Sequence, residues 1–381
     1  MLSKIHYAKP SITEKEVRYA TDAAANGWAQ HCFDYINKFA QSLKDYLKVP
    51  YVFPTSSCTG ALHLALAAMD IGPGDEVIAP DITWVASVAP VTYVGATPVF
   101  VDVLPDTWCI NPKSIERAIT PKTKAIIAVH LYGNLCEMDE IRAIAKKHNL
   151  FLIEDAAEAM GSVYKGEMAG SMGDVSTFSF HGTKTVTTGE GGALIVQSKD
   201  LYDKLVVLES HGRSPANTKQ FWAAKVGFKY KMPNVAAAMG VAQMERVDEL
   251  VARKREIFET YKSKLSDIEG LTFNPEKEGT FNSYWMTTVI FGHEMEFNRD
   301  DVLKLFQDSN IDARVFFYPL SIMPPFEHLP RNENNVSYNL HERGMNLPSY
   351  HDITEADIDR VCGVIRKYLK KDASAEQAEA A

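Results

Sequence analysis

Two short segments of the chain carry side chains suited to acid–base and covalent chemistry. The apolar stretch Phe151–Ile153 ends abruptly in Glu154 and Asp155, and a third acid, Glu158, follows after two alanines. An acid at this point could cap the next helix, or it could hold a positive charge on a ligand. This segment alone leaves both interpretations open.

The second segment centres on a lysine. Lys184 lies 29 residues after Asp155, and the glycine-rich run Gly189–Gly192 follows it. A lone lysine is usually an exposed surface residue, and a glycine-rich run is usually a turn. Here the strand-like stretch Val175–Phe180 precedes both, so Lys184 falls near a strand end. Its amine could there form a Schiff base with an aldehyde.

Two further segments could hold other parts of a ligand. Ser57, Cys58 and Thr59 open a predicted helix whose free N–H groups would suit a phosphate, although ordinary helix capping explains the same residues. Trp84 follows the predicted strand Glu76–Ala79, where a role in the core is the simpler interpretation.

Together, these segments fit one cofactor. Pyridoxal phosphate needs a phosphate cradle, a flat aromatic ring, an acid and a lysine. The lysine would attach to the cofactor's aldehyde, and the acid would keep its ring nitrogen protonated. The sequence therefore predicts a pyridoxal phosphate site and no metal site.

The elements that must position these side chains alternate along residues 50–200. Short apolar runs alternate with helix-like segments, which favours a mostly parallel sheet covered by helices. In such sheets ligands bind beyond the carboxyl ends of the strands. We predict strands at Tyr51–Phe53, Glu76–Ala79, Thr97–Val101, Ala125–Leu131, Phe151–Glu154, Val175–Phe180 and Gly192–Val196. We predict helices between them at Thr59–Met69, Thr83–Tyr93 and Met138–His148.

After about residue 234 the pattern changes. We predict one long helix over Val235–Lys264, strands at Leu271–Phe273 and Tyr284–Phe291, and helices at Arg299–Ser309 and Thr354–Leu369. The fold class is therefore α/β, with a large cofactor-binding domain at residues 1–245 and a smaller α+β domain at residues 246–381.

Composition excludes several classes of protein. The 381 residues carry a formal net charge of −9, which disfavours nucleic acid as a partner. The five cysteines are odd in number and form no CxxC pair, which argues against a disulfide framework or a zinc ribbon and favours a reducing compartment. No apolar run is long enough for a bilayer span, and the first residues lack the apolar core of a secretion signal. We therefore expect a cytoplasmic protein without a membrane partner.

The motifs at these positions resemble those of the DegT/StrS-type nucleotide-sugar aminotransferases, which have the aspartate aminotransferase fold, fold type I. The resemblance extends from about residue 5 to residue 369. It rests on residues 74–80 (GDEVIAP), 95–102 (GATPVFVD), 129–133 (VHLYG), 154–159 (EDAAEA), 173–180 (GDVSTFSF), Lys184 with 188–192 (TGEGG), and 346–349 (NLPS).

This resemblance implies a role for each residue of the site. Lys184 would bind the cofactor covalently and then carry protons, and Asp155 would pair with the ring nitrogen. Glu158, where many members have glutamine, would lie near the ring's phenolic oxygen, and Trp84 would stack on the ring. The phosphate contacts would be Ser57, Cys58, Thr59, Ser179 and, across a subunit interface, Lys229.

The resemblance also implies partners and a reaction. Such enzymes are typically homodimers whose active sites lie at the subunit interface. They move an amino group from L-glutamate to a keto sugar carried by a nucleotide, with ping-pong kinetics. Residues 284–286, 316–319 and 343–348 are most similar to members that aminate C4 of GDP-4-keto-6-deoxymannose for lipopolysaccharide O-antigen synthesis.

Several positions depart from the family's pattern. Ser57 and Cys58 replace the usual Asn-Gly of the phosphate turn, and Lys229 replaces an asparagine. Ser321 stands where histidine is common, and His181 where an aromatic residue is frequent, so a dTDP- or UDP-linked 4-keto-6-deoxy sugar is an alternative substrate. Candidate sugar contacts, each equally explained as a structural residue, are His130, His181, Arg314, Tyr318 and Ser321.

Three other functions fit the sequence less well. In related sugar dehydratases histidine replaces the lysine, and the presence of Lys184 argues against that reaction. A nicotinamide dehydrogenase would need a GxGxxG turn, which Thr55–Gly60 lacks. A regulator that keeps only the fold would be expected to have lost Lys184, Asp155 or the phosphate turn.

Overall fold

The computed structural model describes the backbone of residues 3–379 and the side chains of residues 3–370. The outermost residues of the two predicted domains, 1–2 and 380–381, lie outside this range. The strands are β1 (Tyr51–Thr55), β2 (Glu76–Pro80), β3 (Thr97–Val101), β4 (Thr123–Val129), β5 (Phe151–Asp155), β6 (Val163–Tyr164), β7 (Glu167–Met168), β8 (Val175–Ser179), β9 (Gly192–Val196), β10 (Leu271–Phe273), β11 (Thr280–Phe281), β12 (Thr288–Phe291), β13 (Arg314–Val315) and β14 (Gly344–Asn346).

Twelve α-helices accompany these strands within the described residues, with short 3₁₀ turns between some of them. The helices are α1 (Glu14–Asn26), α2 (Asp34–Leu47), α3 (Cys58–Ala68), α4 (Ala89–Tyr93), α5 (Pro112–Ala118), α6 (Met138–His148), α7 (Lys199–Leu208), α8 (Asn234–Met244), α9 (Val247–Leu265), α10 (Arg299–Asp308), α11 (Asn335–Arg343) and α12 (Glu355–Glu379).

A seven-stranded sheet forms the centre of the molecule, in the order β1-β9-β8-β5-β4-β2-β3. Its pairings are parallel except for those of β9, which runs antiparallel to both of its neighbours. Six strands therefore end at the same edge of the sheet. This confirms the predicted α/β fold with a mostly parallel sheet, and it brings the predicted site segments to one edge.

Burial explains why these strands form. Six of the seven residues of β4 are buried, which is the pattern of a central strand covered by helices on both faces. The predicted strand over Ala125–Leu131 starts earlier and ends at Val129 instead. The chain turns there because Leu131–Gly133 form a 3₁₀ turn in which Tyr132 has a φ of 56°.

The long helix predicted over Val235–Lys264 is two helices. Helix α8 ends at Met244 and α9 begins at Val247, because Arg246 leaves the helical conformation and pairs with Glu16 of α1 at 2.9 Å. The prediction over Thr83–Tyr93 also overextended the helix, since α4 covers only Ala89–Tyr93, with Pro90 in its first turn.

The second half of the chain forms a smaller four-stranded sheet, in the order β10-β12-β14-β13. The predicted strand Tyr284–Phe291 is shorter, because Tyr284 has a φ of 48° and only Thr288–Phe291 pairs. A separate apolar core joins this sheet to α9, α10 and α12, and Ile5 from the start of the chain packs into it. The domain boundary at residue 245 stays a prediction.

Within residues 3–379, no helix combines the length and the apolar character that crossing a bilayer requires.

Candidate active site

The sheet brings the predicted acid, lysine and phosphate turn to one edge. Asp155 is the last residue of β5, where it pairs with Val129 of β4 and Thr177 of β8. Lys184 follows β8, and Ser57 follows β1. Because β9 separates β1 from β8, the phosphate turn lies on one side of the lysine's strand and the acid on the other.

Asp155 is a buried carboxylate with neutral hydrogen-bond partners. Its Oδ2 accepts a hydrogen bond from the Ser87 hydroxyl at 2.7 Å, and its Oδ1 accepts from the Ala157 N–H at 3.0 Å. Burial raises the pKa of Asp155, and these hydrogen bonds only partly oppose the effect. A cation placed beside Asp155 would therefore be strongly favoured.

Glu158 and Lys184 form a pair next to Asp155. Lys184 Nζ lies 3.3 Å from Glu158 Oε1, while Glu158 Oε2 accepts from the Tyr132 N–H at 2.8 Å. Burial raises the pKa of Glu158, and the charge of Lys184 opposes it. The unusual backbone of Tyr132 thus directs one oxygen of Glu158 and leaves the other for the lysine.

Two residues of this constellation were missed from the sequence as site residues. Ser87 gives no local signal, since it is a small residue in the turn Val85–Ser87, and only the fold sets it against Asp155. Trp285 places its ring under Lys184, with Nζ 3.6 Å from the ring centroid. In the sequence, its segment at residues 284–286 contributes only to a family motif.

Glu154, which precedes Asp155, has a structural role. Glu154 is fully buried, and its carboxylate accepts hydrogen bonds from the N–H groups of Gly170, Met172 and Gly173, from the Ser176 hydroxyl and from a ring nitrogen of His130. These bonds hold the pKa of Glu154 below its ordinary value against the opposing effect of burial. Glu154 fixes the end of β5 and so fixes Asp155.

The phosphate turn has the geometry of a helix N-terminus. Ser57 caps α3, since its hydroxyl accepts from the Gly60 N–H at 3.0 Å, and the N–H groups of Cys58 and Thr59 begin the helix. Gly192 on β9 pairs with Thr55 on one side and Ser179 on the other. The helix start and Ser179 therefore flank the same glycine.

The two remaining cofactor candidates are exposed. Trp84 lies beyond the end of β2, and its ring centroid is 6.0 Å from that of Phe317. Lys229 is exposed in the long irregular segment between α7 and α8. The structure thus places Trp84 near the site edge and leaves Lys229 free for contact with another molecule.

The five candidate sugar contacts divide into two groups. His181, Arg314 and Tyr318 are exposed. His130 is fully buried, where Nε2 contacts Glu154 and Nδ1 accepts from the Cys136 N–H. Ser321 is also buried, and both its N–H and its hydroxyl donate to Asp81. All five stay predictions, and this geometry favours structural tasks for His130 and Ser321.

The donor set fits pyridoxal phosphate. A buried acid with only neutral hydrogen-bond partners suits a positively charged ring nitrogen, and the lysine beside it can react with an aldehyde. The start of α3, an eleven-residue helix, offers N–H groups and the positive end of a helix dipole to a phosphate. The fold and the site together define a fold type I, pyridoxal phosphate-dependent enzyme.

Comparison with known proteins agrees. The model of the DegT/DnrJ/EryC1/StrS aminotransferase family matches residues 10–366, and the chain belongs to this family. The predicted family, the aminotransferase activity and the pyridoxal phosphate cofactor are confirmed.

Individual proteins similar to this chain include two GDP-perosamine synthases and one solved structure. GDP-perosamine synthase of Caulobacter vibrioides is 42% identical over 97% of this chain and 99% of its own length. GDP-perosamine synthase of Vibrio cholerae is 39% identical over 95% and 98%. Among solved structures, the pyridoxal phosphate form of Spr1654 from Streptococcus pneumoniae superposes with a TM-score of 0.89 at 27% identity. The superposition covers 97% of this chain and 99% of that one, which is provisionally named a sugar aminotransferase.

Proposed function

We propose that this aminotransferase moves an amino group from L-glutamate to C4 of GDP-4-keto-6-deoxymannose, which yields GDP-perosamine. The observation that carries the proposal is the grouping of Lys184 with the buried acids Asp155 and Glu158, in a chain about two-fifths identical to two GDP-perosamine synthases over nearly its whole length. The product would serve synthesis of lipopolysaccharide O-antigen.

Lys184 is the residue to which we assign the reaction itself. When bound, pyridoxal phosphate supplies an aldehyde and a ring that withdraws electrons from the reacting carbon. Lys184 Nζ would be the attachment point and, once released, the base and acid that moves protons at that carbon. Its position beside Glu158, largely shielded from water, supports this assignment.

The two carboxylates would contact different groups of the ring. Asp155, oriented by Ser87 and the Ala157 N–H, would keep the ring nitrogen protonated. Glu158, oriented by the Tyr132 N–H, would lie at the phenolic oxygen. Trp84 would cover the ring from the exposed side of the site.

The phosphate contacts follow from the start of α3. The N–H groups of Cys58 and Thr59 would donate to the phosphate, and the Ser57 hydroxyl would keep the helix start in place. The Ser179 hydroxyl would be a further phosphate contact. On the sugar side, the exposed groups His181, Arg314 and Tyr318 would be the first candidates to contact the nucleotide sugar.

We propose a homodimer with shared active sites. In the segment between α7 and α8, Phe221 is 96% exposed and Val226 is 89% exposed, which is unusual for apolar side chains in water. Lys229 lies in the same segment, so its ammonium could reach a phosphate bound by a second subunit. Burying this segment against a second copy would remove the apolar surface.

We also propose a cytoplasmic enzyme with its domain boundary at residue 245. All five cysteines are free thiols, as expected in a reducing compartment. The boundary falls at the break between α8 and α9, where the chain passes from the large sheet to the smaller one.

The direct experiment is a visible absorbance spectrum of the purified enzyme before and after L-glutamate is added. We expect an absorbance band of bound cofactor that bleaches with L-glutamate and returns with GDP-4-keto-6-deoxymannose. The same keto sugar linked to dTDP or UDP, and the Lys184→Ala variant, are the controls.

Each outcome has a distinct meaning. Return of the band with a dTDP- or UDP-linked sugar alone would replace the proposed substrate and keep the reaction. Release of a sugar hydroxyl without amination would indicate a dehydratase. Normal turnover by Lys184→Ala would overturn the assignment of that lysine.

A further inference from the structure

The amine of Lys184 rests on the face of an indole ring. Its Nζ lies 3.6 Å from the centroid of the Trp285 ring, and Glu158 Oε1 lies 3.3 Å from the same nitrogen. The Lys184 side chain is 13% exposed and Trp285 is 4% exposed. Because a cation is attracted to the negative face of tryptophan most strongly where water is excluded, Trp285 is a second partner for this amine.

The indole ring is fixed from two directions. Its Nε1–H donates to the carbonyl oxygen of Thr183 at 2.9 Å, so the ring is tied to the residue before the lysine. The ring also stacks with Tyr132, whose hydroxyl accepts from the Phe317 N–H at 3.2 Å. These two contacts restrain the indole ring beside Lys184.

We propose that Trp285 is a positioning residue that holds the Lys184 ammonium against its indole face whenever the lysine is not attached to the cofactor. This inference rests on the proposed role of Lys184. A ping-pong enzyme releases this lysine in each half-reaction and must keep its flexible four-carbon side chain in place until it is attached again. An indole face attracts the charge but does not accept the proton, so it holds the ammonium without competing as a base.

The charge state of the released lysine is the measurable consequence. The charged groups that act on Lys184 are Glu158, Asp155 and Lys254, and Cys58 is neutral because burial raises its pKa. The Trp285 face attracts the ammonium in addition to the two carboxylates. Removing the face should lower the pKa of the free Lys184 amine by about half a unit to one unit.

The test follows capture of added pyridoxal phosphate by the full-length chain from which the cofactor has been removed. Capture needs the neutral amine, so its rate, followed by stopped-flow absorbance from about pH 6 to about pH 10, reports the pKa of the lysine. For Trp285→Leu we expect a downward shift of half a unit to one unit and about three- to tenfold faster capture at neutral pH. Turnover of the loaded variant should nevertheless fall, because the amine is no longer held in place.

Two further variants separate this effect from general damage. Trp285→Phe keeps an aromatic face and should shift the pKa in the same direction by less; it decides the question if Trp285→Leu does not fold. Trp108→Leu makes the same change at a buried tryptophan that packs on Phe316, and it should lower stability without moving the pKa.

An unchanged or raised pKa in both Trp285 variants would overturn the inference, as would an equal shift in Trp108→Leu. Failure of the proposed function has a different signature. In that case the unmodified chain would give no absorbance band with pyridoxal phosphate, or borohydride reduction would fix the cofactor at a residue other than Lys184.

Discussion

Two buried carboxylates, Asp155 and Glu158, interact with Lys184, and the neighbours of the two acids differ. Asp155 accepts from a hydroxyl and a backbone N–H, whereas Glu158 accepts from a backbone N–H and contacts the lysine itself. Burial raises the pKa of both acids. A bound cation at Asp155 and the lysine at Glu158 therefore decide whether each acid is charged.

The Ser87 hydroxyl should influence activity through the pKa of Asp155. Removing its hydroxyl in Ser87→Ala takes away a hydrogen bond to a charged group, and we expect turnover to fall about tenfold to hundredfold. Because that bond lowers the pKa of Asp155, its loss raises the pKa further, and activity should decline at a higher pH on acidification. Steady-state rates across pH give both quantities.

Two comparisons complete this prediction. Ser87→Thr restores the hydroxyl and should recover most of the activity, while Asp155→Asn should lose far more than Ser87→Ala. Equal pH profiles for the wild type and Ser87→Ala would show that the hydroxyl does not act through Asp155.

Lys254 is a buried amine outside the reacting groups, and it should make stability depend on pH. Its Nζ donates to the Ser349 carbonyl oxygen, and burial lowers its pKa to about 7. The unfolded chain keeps this proton up to a pKa of about 10.4, so between these values the folded state binds fewer protons. Below about pH 7 the folded chain bears the full free-energy cost of a buried charge, and this cost decreases as the pH rises.

Lys254→Met removes that cost. The variant should therefore be more stable relative to the wild type at low pH than at high pH. The difference between their free energies of unfolding should shift by about 1–3 kcal/mol in favour of the wild type between about pH 6 and about pH 9. Urea unfolding at several pH values measures this. Lys122→Met, at an exposed lysine, is the control; an identical pH dependence in both variants would contradict the prediction.

The start of α3 depends on the strand beside it. A Cβ atom on Gly192 would lie 2.5 Å from the Cys58 nitrogen and 2.6 Å from the Ser57 carbonyl carbon, and backbone atoms cannot yield as a flexible side chain can. The glycine-rich run thus does more than form a turn, because it lets β9 approach the proposed phosphate cradle.

Gly192→Ala should therefore displace the helix start. We expect pyridoxal phosphate to bind at least about tenfold more weakly, through lost phosphate contacts, together with a lower melting temperature. Cofactor titration followed by absorbance measures the affinity. Gly166→Ala is the control for a glycine with open space around it, although its φ of 88° will cost some stability there. Unaltered affinity in Gly192→Ala would place the phosphate elsewhere.

The whole molecule presents an apolar segment that a single chain leaves in water. Phe221→Glu puts a charge there, and we expect the proposed dimer to shift toward monomer by about tenfold or more in dissociation constant. Light scattering after size-exclusion chromatography measures the mass. Phe151→Glu, at the exposed start of β5, should leave the mass unchanged; a monomeric wild type would overturn the dimer proposal.

Much of the fold was predictable from local patterns. Strands β3 and β9 and helix α6 have the predicted bounds, because an apolar run or an amphipathic repeat between turn residues is a local signal. The errors came where distant contacts prevailed. The predicted long helix breaks at Arg246, whose guanidinium pairs with Glu16, 230 positions away.

For the site, local sequence patterns were enough to predict the residue types and the cofactor class. An acid, a lysine and a hydroxyl-rich helix start at strand ends belong to segments that can be recognised locally. The neighbours that complete them follow from the three-dimensional packing: Ser87 at Asp155, Tyr132 at Glu158 and Trp285 at Lys184. Those contacts join residues 26 to 101 positions apart, and their distances are set by strand order and packing, which no local pattern contains.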